Sequence, residues 1–80
     1  MKNKLVTLSN NDGYEALYFK DLKIEEGNPL EEGNERVLYF LKLCDNYGVD
    51  IRDCEFGFVC VDELPNRLSE IENNSIVWIR

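Results

Sequence analysis

Eighty residues carry sixteen acidic side chains against nine basic ones and no histidine, for a net charge of -7. A polyanion of this kind is repelled by nucleic-acid phosphates and by anionic membrane surfaces, and without an imidazole it lacks the usual base of a nucleophilic triad and the commonest metal ligand. One domain over residues 1–80 is expected, because a chain this short spends nearly all its apolar residues on one core and keeps few to line a deep substrate pocket.

Residues 4–9, KLVTLS, have strand composition and run into Asn10-Asn11-Asp12-Gly13, where Asp-Gly suits a tight hairpin turn. The return strand, YEALYFK, alternates: Tyr14, Ala16 and Tyr18 face one way, Glu15, Leu17 and Phe19 the other. Lys20-Asp21 is a weaker turn signal, and Leu22–Glu25 completes a three-stranded antiparallel meander. GNPLEEGN, residues 27–34, is a loop by its two glycines and proline.

Asn34 is placed to cap a helix that starts at Glu35 and runs to about Tyr47, with Gly48 as its left-handed terminator. Val37, Leu38, Phe40, Leu41, Cys44 and Tyr47 form its apolar face, while Glu35, Lys42, Asp45 and Asn46 stay wet. After VDIRD comes a strand from Cys54 to Asp62. Pro65 then opens a short helix, PNRLSEIE, with Leu64, Leu68 and Ile71 turned inward, and SIVWIR ends the chain as a strand. The order is β-β-β-α-β-α-β: an α+β domain with a small, mainly antiparallel sheet packed on one principal helix.

The segment CEFGFVC, residues 54–60, looks most like reactive chemistry. On a strand its two cysteines lie about 20 Å apart at roughly 3.3 Å per residue, too far for a disulfide or a shared zinc ion. Cys44, near a helix C-terminus, is poorly placed to be a thiolate. All three are expected to pack as small hydrophobes. An odd cysteine count rules out a complete intramolecular disulfide framework, and reduced thiols in the cytoplasm are expected. Residues 1–12, MKNKLVTLSNND, have too short an apolar stretch for a signal-peptide core, and the longest apolar runs, Val37–Leu41 and Ile76–Ile79, fall far below a membrane span.

Other chemistry finds little footing. Thr7, Ser9, Ser69 and Ser75 have no base to activate them. Setting Gly13, Gly27 or Gly48 at the sixth position of a calcium loop puts leucine at the first each time, and no phosphate-loop or dinucleotide spacing occurs. No cofactor and no metal are expected, and the chain reads as a non-enzymatic protein. The aromatic residues read as core, since a base-stacking platform wants a positive surround.

The acidic residues carry the functional content. Glu25, Glu26, Glu31, Glu32 and Glu35 follow one another with no lysine or arginine among them. A second group, Asp45, Asp50, Asp53, Glu55, Asp62 and Glu63, is interrupted only by Arg52. One reading is a solvated face that maintains solubility. The other is a surface that imitates the phosphate pattern of nucleic acid and seats in a basic groove, with electrostatic steering of its association. The terminal strand Ser75–Arg80, if it lies at a sheet edge, offers open backbone groups to a homodimer or to a strand of another chain. Alternatively Trp78 plugs the core and that strand is central.

GYEALYFKDLKIEEGNPL, residues 13–30, resembles a segment of small acidic proteins of bacteria and their mobile elements, in which an aromatic-Glu-x-Leu-Tyr strand leads through a turn to Lys-x-x-x-Glu-Gly and then a helix. This sequence departs from it with Lys20-Asp21-Leu22 in place of Asp-Gly and Asn28 in place of histidine. In size and charge the chain is similar to phage-encoded inhibitors of host defence, the anti-CRISPR and anti-restriction proteins. That likeness implies an inhibitor, in the host cytoplasm, of a nucleic-acid-handling complex such as a nuclease effector. It would bind protein and not nucleic acid or membrane, with Glu25, Glu26, Glu31, Glu32 and Glu35 as the partner-binding residues. The alternative is an immunity protein or antitoxin neutralising a basic toxin.

Overall fold

The computed structural model describes residues 4–28 and 33–79. In chain order it holds β1 (Leu5–Ser9), β2 (Glu15–Phe19), β3 (Leu22–Gly27), α1 (Glu35–Tyr47), β4 (Cys54–Phe58) and β5 (Val77–Ile79). The five strands form one sheet in the order β3-β2-β1-β4-β5. Every neighbouring pair is antiparallel except β1 and β4, which run parallel with Leu5 opposite Cys54. The α+β architecture of a sheet on a single principal helix stands, with a mixed sheet.

Strand alternation builds two cores, one on each face. Leu5 and Leu17 point to the helix side and pack with Phe40, Leu43, Cys44 and Val49. Val6, Leu8, Ala16 and Tyr18 point the other way and pack with Val59 and Ile76. Because both faces are covered, central β1 is buried from Leu5 through Leu8, polar Thr7 included. Each fully buried leucine here contributes about 1.5–3 kcal/mol relative to exposure.

The two hairpin turns reverse their apparent strengths. In the first, the Asn10 side chain governs the turn: its Oδ1 accepts the N–H groups of Asp12 and Tyr14, both at 3.0 Å. The second is the two-residue turn, and Lys20 (φ 50°) and Asp21 (φ 75°) both take the left-handed conformation that suits the twist of a tight hairpin. Neither is glycine, so the conformation needs support. Asp21 supplies it by accepting the Ser69 N–H at 2.7 Å and the Ser69 hydroxyl at 3.0 Å. Those bonds, with Arg67 nearby, hold its carboxyl below the usual range. In β3, Ile24 is an extra residue between Leu17–Glu25 and Tyr18–Lys23, and this bulge brings Lys23 and Glu26 to the same face.

Helix α1 ends where expected: Gly48 adopts φ 65° and the Val49 N–H bonds the Cys44 carbonyl at 2.9 Å. Asn34 stands at the start but makes no side-chain capping bond. What fixes that end is Arg36, whose guanidinium meets Glu15 of β2 through two bonds of 2.8 and 2.7 Å and lies over the Phe40 ring. Phe40 meets Phe56 of β4 edge-on, and Phe19 meets Tyr47. The helix thus lies over β2, β1 and β4, and Val37, Leu38 and Leu41, expected in its apolar face, are exposed on its flank.

Two expected elements take another form. The fourth strand stops at Phe58, not Asp62, because the Val61 N–H turns back to the Val59 carbonyl at 3.1 Å and leaves Cys60 outward. The helix expected over 65–72 is a single 3-10 turn at Leu68–Glu70. Its backbone is committed elsewhere: the Asn66 carbonyl accepts the Lys23 N–H and the Leu68 N–H donates to the Asp21 carbonyl, both at 2.9 Å. Residues 59–76 therefore wrap across the face opposite α1, with Leu64, Leu68 and Ile71 turned inward onto the second core. Among the described residues, no helix is long and apolar enough to cross a membrane.

Candidate functional site

Of the acids of the expected partner surface, the three that lie among the described residues do not share one face. Glu25 and Glu26 are exposed on β3 but stand opposite Leu17 and Ala16, on opposite faces of the sheet. Glu26 is ion-paired with Lys23 at 3.0 Å. Glu35 is exposed in the first turn of α1, on the helix side. Glu31 and Glu32 lie outside the described residues.

Other carboxylates are brought together on the wrap side. A concavity of about 400 Å³ is lined by Asn10, Asp12, Tyr14, Lys23, Glu26, Asp62, Glu63 and Leu64. Asn10 builds it: besides holding the 12–14 turn, its Nδ2 donates to the Asp62 carbonyl at 3.1 Å, tying the first hairpin to the wrap. The Lys23 ammonium reaches both Glu26 and the Leu64 carbonyl, so its charge is spoken for. Asp12, Asp62 and Glu63 have no ion-pair partner among the described residues, unlike Glu15, Asp21 and Glu55, which pair with Arg36, Arg67 and Lys4. Glu63 also borders a second hollow of about 480 Å³ that includes Glu70 and Glu72. One face thus carries Asp12, Glu26, Asp62, Glu63, Glu70 and Glu72.

Sequence grouping put Asp62 and Glu63 with Asp45–Glu55 and left Asp12 aside. The signal that joins them was the Asn10 turn facing the segment after β4, a tertiary contact that no spacing encodes. Among the described residues, no group of three histidine, cysteine, aspartate or glutamate side chains is placed to hold a metal ion.

The cysteines differ from one another. Cys44 is buried, Cys54 half-buried and Cys60 exposed, so packing as core fails for Cys60, which the turn after Phe58 carries outward. Cys44 and Cys54 meet with their sulfurs 3.2 Å apart. Burial, the Cys44 thiol and the nearby carboxylates of Asp53 and Asp50 push the Cys54 thiol up to about 12.

The last strand is an edge, yet Trp78 is half-buried against the second core. On its helix side β5 is bare: Val77 is 66 % and Ile79 67 % exposed, beside exposed Phe58. Comparison with family models, with curated proteins and with solved structures finds no match to this chain.

Proposed function

We propose that this chain is a non-enzymatic protein-binding inhibitor, of phage or mobile-element origin, that acts in the host cytoplasm. It occupies a basic, nucleic-acid-holding groove of a defence complex, in the manner of anti-CRISPR or anti-restriction proteins. The observation that carries the reading is the set of carboxylates Asp12, Asp62 and Glu63, around one concavity and without ion-pair partners among the described residues. Carboxylates already paired within the fold have less to offer a partner's arginines. These three keep their charge available, and a cationic side chain entering the hollow meets several at once. The functional surface then sits on the wrap side and includes Glu26 from the expected set, while Glu25 and Glu35 face away from it.

The test is retention of a nucleic-acid-handling complex from a bacterial lysate by three proteins: wild type, Asp12→Asn/Asp62→Asn/Glu63→Gln, and Glu25→Gln/Glu35→Gln. Wild type and the helix-side variant are expected to retain it, with displacement by added DNA or RNA and steep loss at high salt. The wrap-side variant is expected to bind at least about tenfold more weakly. Loss in the helix-side variant alone would move the site to Glu25 and Glu35. A partner not displaced by nucleic acid would favour an immunity protein or antitoxin facing a basic toxin.

A second reading rests on the bare side of β5, and its occupant is a second copy of the chain. An antiparallel pair of β5 strands centred on Trp78 sets Val77 opposite Ile79 of the other copy, keeping all four on one face. Phe58, Val77 and Ile79 are themselves apolar, so they add no charge to the repulsion of two polyanions there. A two-fold axis normal to the sheet would turn both acidic wrap faces to the same side. Sedimentation velocity is expected to show a dimer that Ile79→Lys converts to monomer, since an edge lysine blocks strand addition. A monomeric wild type at high concentration would end this reading and leave the acidic one intact.

A further inference from the structure

The meeting of Cys44 and Cys54 joins two elements that are each held independently. Cys44 lies in the last turn of α1, which the left-handed Gly48 and the Val49 N–H bond to the Cys44 carbonyl fix in place. Cys54 opens β4, in register with Leu5 of the central strand. Their sulfurs are 3.2 Å apart. A disulfide bond is about 2.05 Å long, so closing the gap takes little more than an ångström shared between two side chains. We propose that Cys44 and Cys54 form an oxidation site, which low-molecular-weight disulfides of the glutathione class convert reversibly into an intramolecular cross-link.

The step balances by thiol–disulfide exchange. Cys54, the more accessible of the two, gives up its proton and its sulfur attacks the reagent's S–S bond. One half of the reagent stays bound to Cys54 as a mixed disulfide, and the other leaves as a thiolate that takes up a proton. The Cys44 sulfur, losing its own proton, then attacks Cys54 Sγ and expels the second half as a thiol. Two cysteine thiols are oxidised and one reagent disulfide is reduced to two thiols. The burial that raises the Cys54 thiol's hold on its proton makes the first attack slow.

The cross-link would close the stretch 45–53, which carries Asp45, Asp50 and Asp53. Asp50 already organises its middle by accepting the Arg52 N–H at 2.9 Å and the Arg52 guanidinium. Oxidation would turn an acidic loop anchored by packing into one stapled at its base. Cys60, exposed and six residues along the chain from Cys54, belongs to no such pair.

The test uses the full chain carrying Cys60→Ser, incubated in native buffer with oxidised glutathione and, in parallel, with dithiothreitol. The oxidised sample is expected to lose both remaining thiols and to fall in mass by two hydrogens with no glutathione retained. A non-reducing peptide map should join the segments containing Cys44 and Cys54. Its melting temperature should rise by about 10–20 °C, reversibly on reduction. Free thiols that persist, glutathione adducts that remain on either cysteine, or covalent dimers would each overturn the proposal. So would a cross-linked form that melts below the reduced one.

Discussion

Gly57→Ala is expected to destabilise the fold by about 2–3 kcal/mol and to lower its melting temperature by about 10–20 °C. Gly57 lies in β4 opposite Leu8 of β1 and opposite Trp78 of β5, where three strands meet over the second core. Its backbone is not among those with positive φ, so the need for glycine is one of space. A Cβ there would stand 2.6 Å from Ile76 Cγ2 and 3.0 Å from both Leu8 Cδ2 and Trp78 Cε3. Leu8 is fully buried and cannot retreat, so the ring of Trp78 and the turn before β5 must move. Urea denaturation followed by Trp78 fluorescence reads both the lost stability and the displaced ring. Pairing the change with Ile76→Ala should lose less than the two separate losses added together, because the second removes the atom in closest conflict. Wild-type stability in Gly57→Ala would mean that β5 does not pack over this point.

Tyr18→Phe is expected to cost about 1–2 kcal/mol at neutral pH, since it leaves a buried acceptor unpaired. The Tyr18 ring is 1 % exposed, and its hydroxyl donates to the Pro65 carbonyl at 2.6 Å, pinning the wrap to the sheet. Burial pushes the phenol from 10 up to about 12, with the Glu26 and Glu70 carboxylates adding to the shift. The fold therefore favours the neutral phenol. That stabilisation is complete below pH 10 and is lost as pH rises from 10 towards about 12, by up to roughly 2–3 kcal/mol. Stability measured across this window should fall in wild type and decline less in Tyr18→Phe, the other tyrosines being common to both. Parallel curves would mean that Tyr18 ionises as easily folded as unfolded.

The elements that could be read from the sequence are those whose signals are local. Alternation in YEALYFK sorts the residues of β2 onto the correct two faces, Glu15 with Leu17 and Phe19, and folding makes that the helix side, where Arg36 meets Glu15. Gly48 marked the end of α1 by its φ preference alone. The misread places are those where a distant segment overrides the local preference. PNRLSEIE has helical spacing, but its backbone bonds to Asp21 and Lys23 limit it to one 3-10 turn at Leu68–Glu70. Lys20-Asp21 reads as a weak turn because its support, Ser69, lies 48 residues away. On α1, the spacing marks Val37, Leu38 and Leu41 as part of the apolar face, yet the helix-side core takes in Phe40, Leu43, Cys44 and half-buried Tyr39 and Tyr47 and leaves those three exposed. The acids were grouped by adjacency in the chain. On β3 adjacency separates Glu25 from Glu26, while folding unites Asp12 with Asp62. The contact between Cys44 and Cys54 escaped for the same reason, helix end and strand start being neighbours only in space.

The parallel pairing of β1 with β4 has a bearing on how the chain reaches this state. The meander β1-β2-β3 joins neighbours through short turns and can form early, whereas Leu5 must wait for Cys54. Closing a connection of that length is entropically slower than closing a hairpin. During synthesis, LVTLS, apolar at alternate and adjacent positions alike, therefore shows one unpaired edge until CEFGF emerges. Docking of β4 is the step that seals it, so changes at Gly57 or Phe56 should act on yield in the cell as well as on equilibrium stability. Polar Thr7 and Ser9 interrupt the apolar run on the waiting strand, and the surplus of negative charge holds nascent chains apart until that edge is covered.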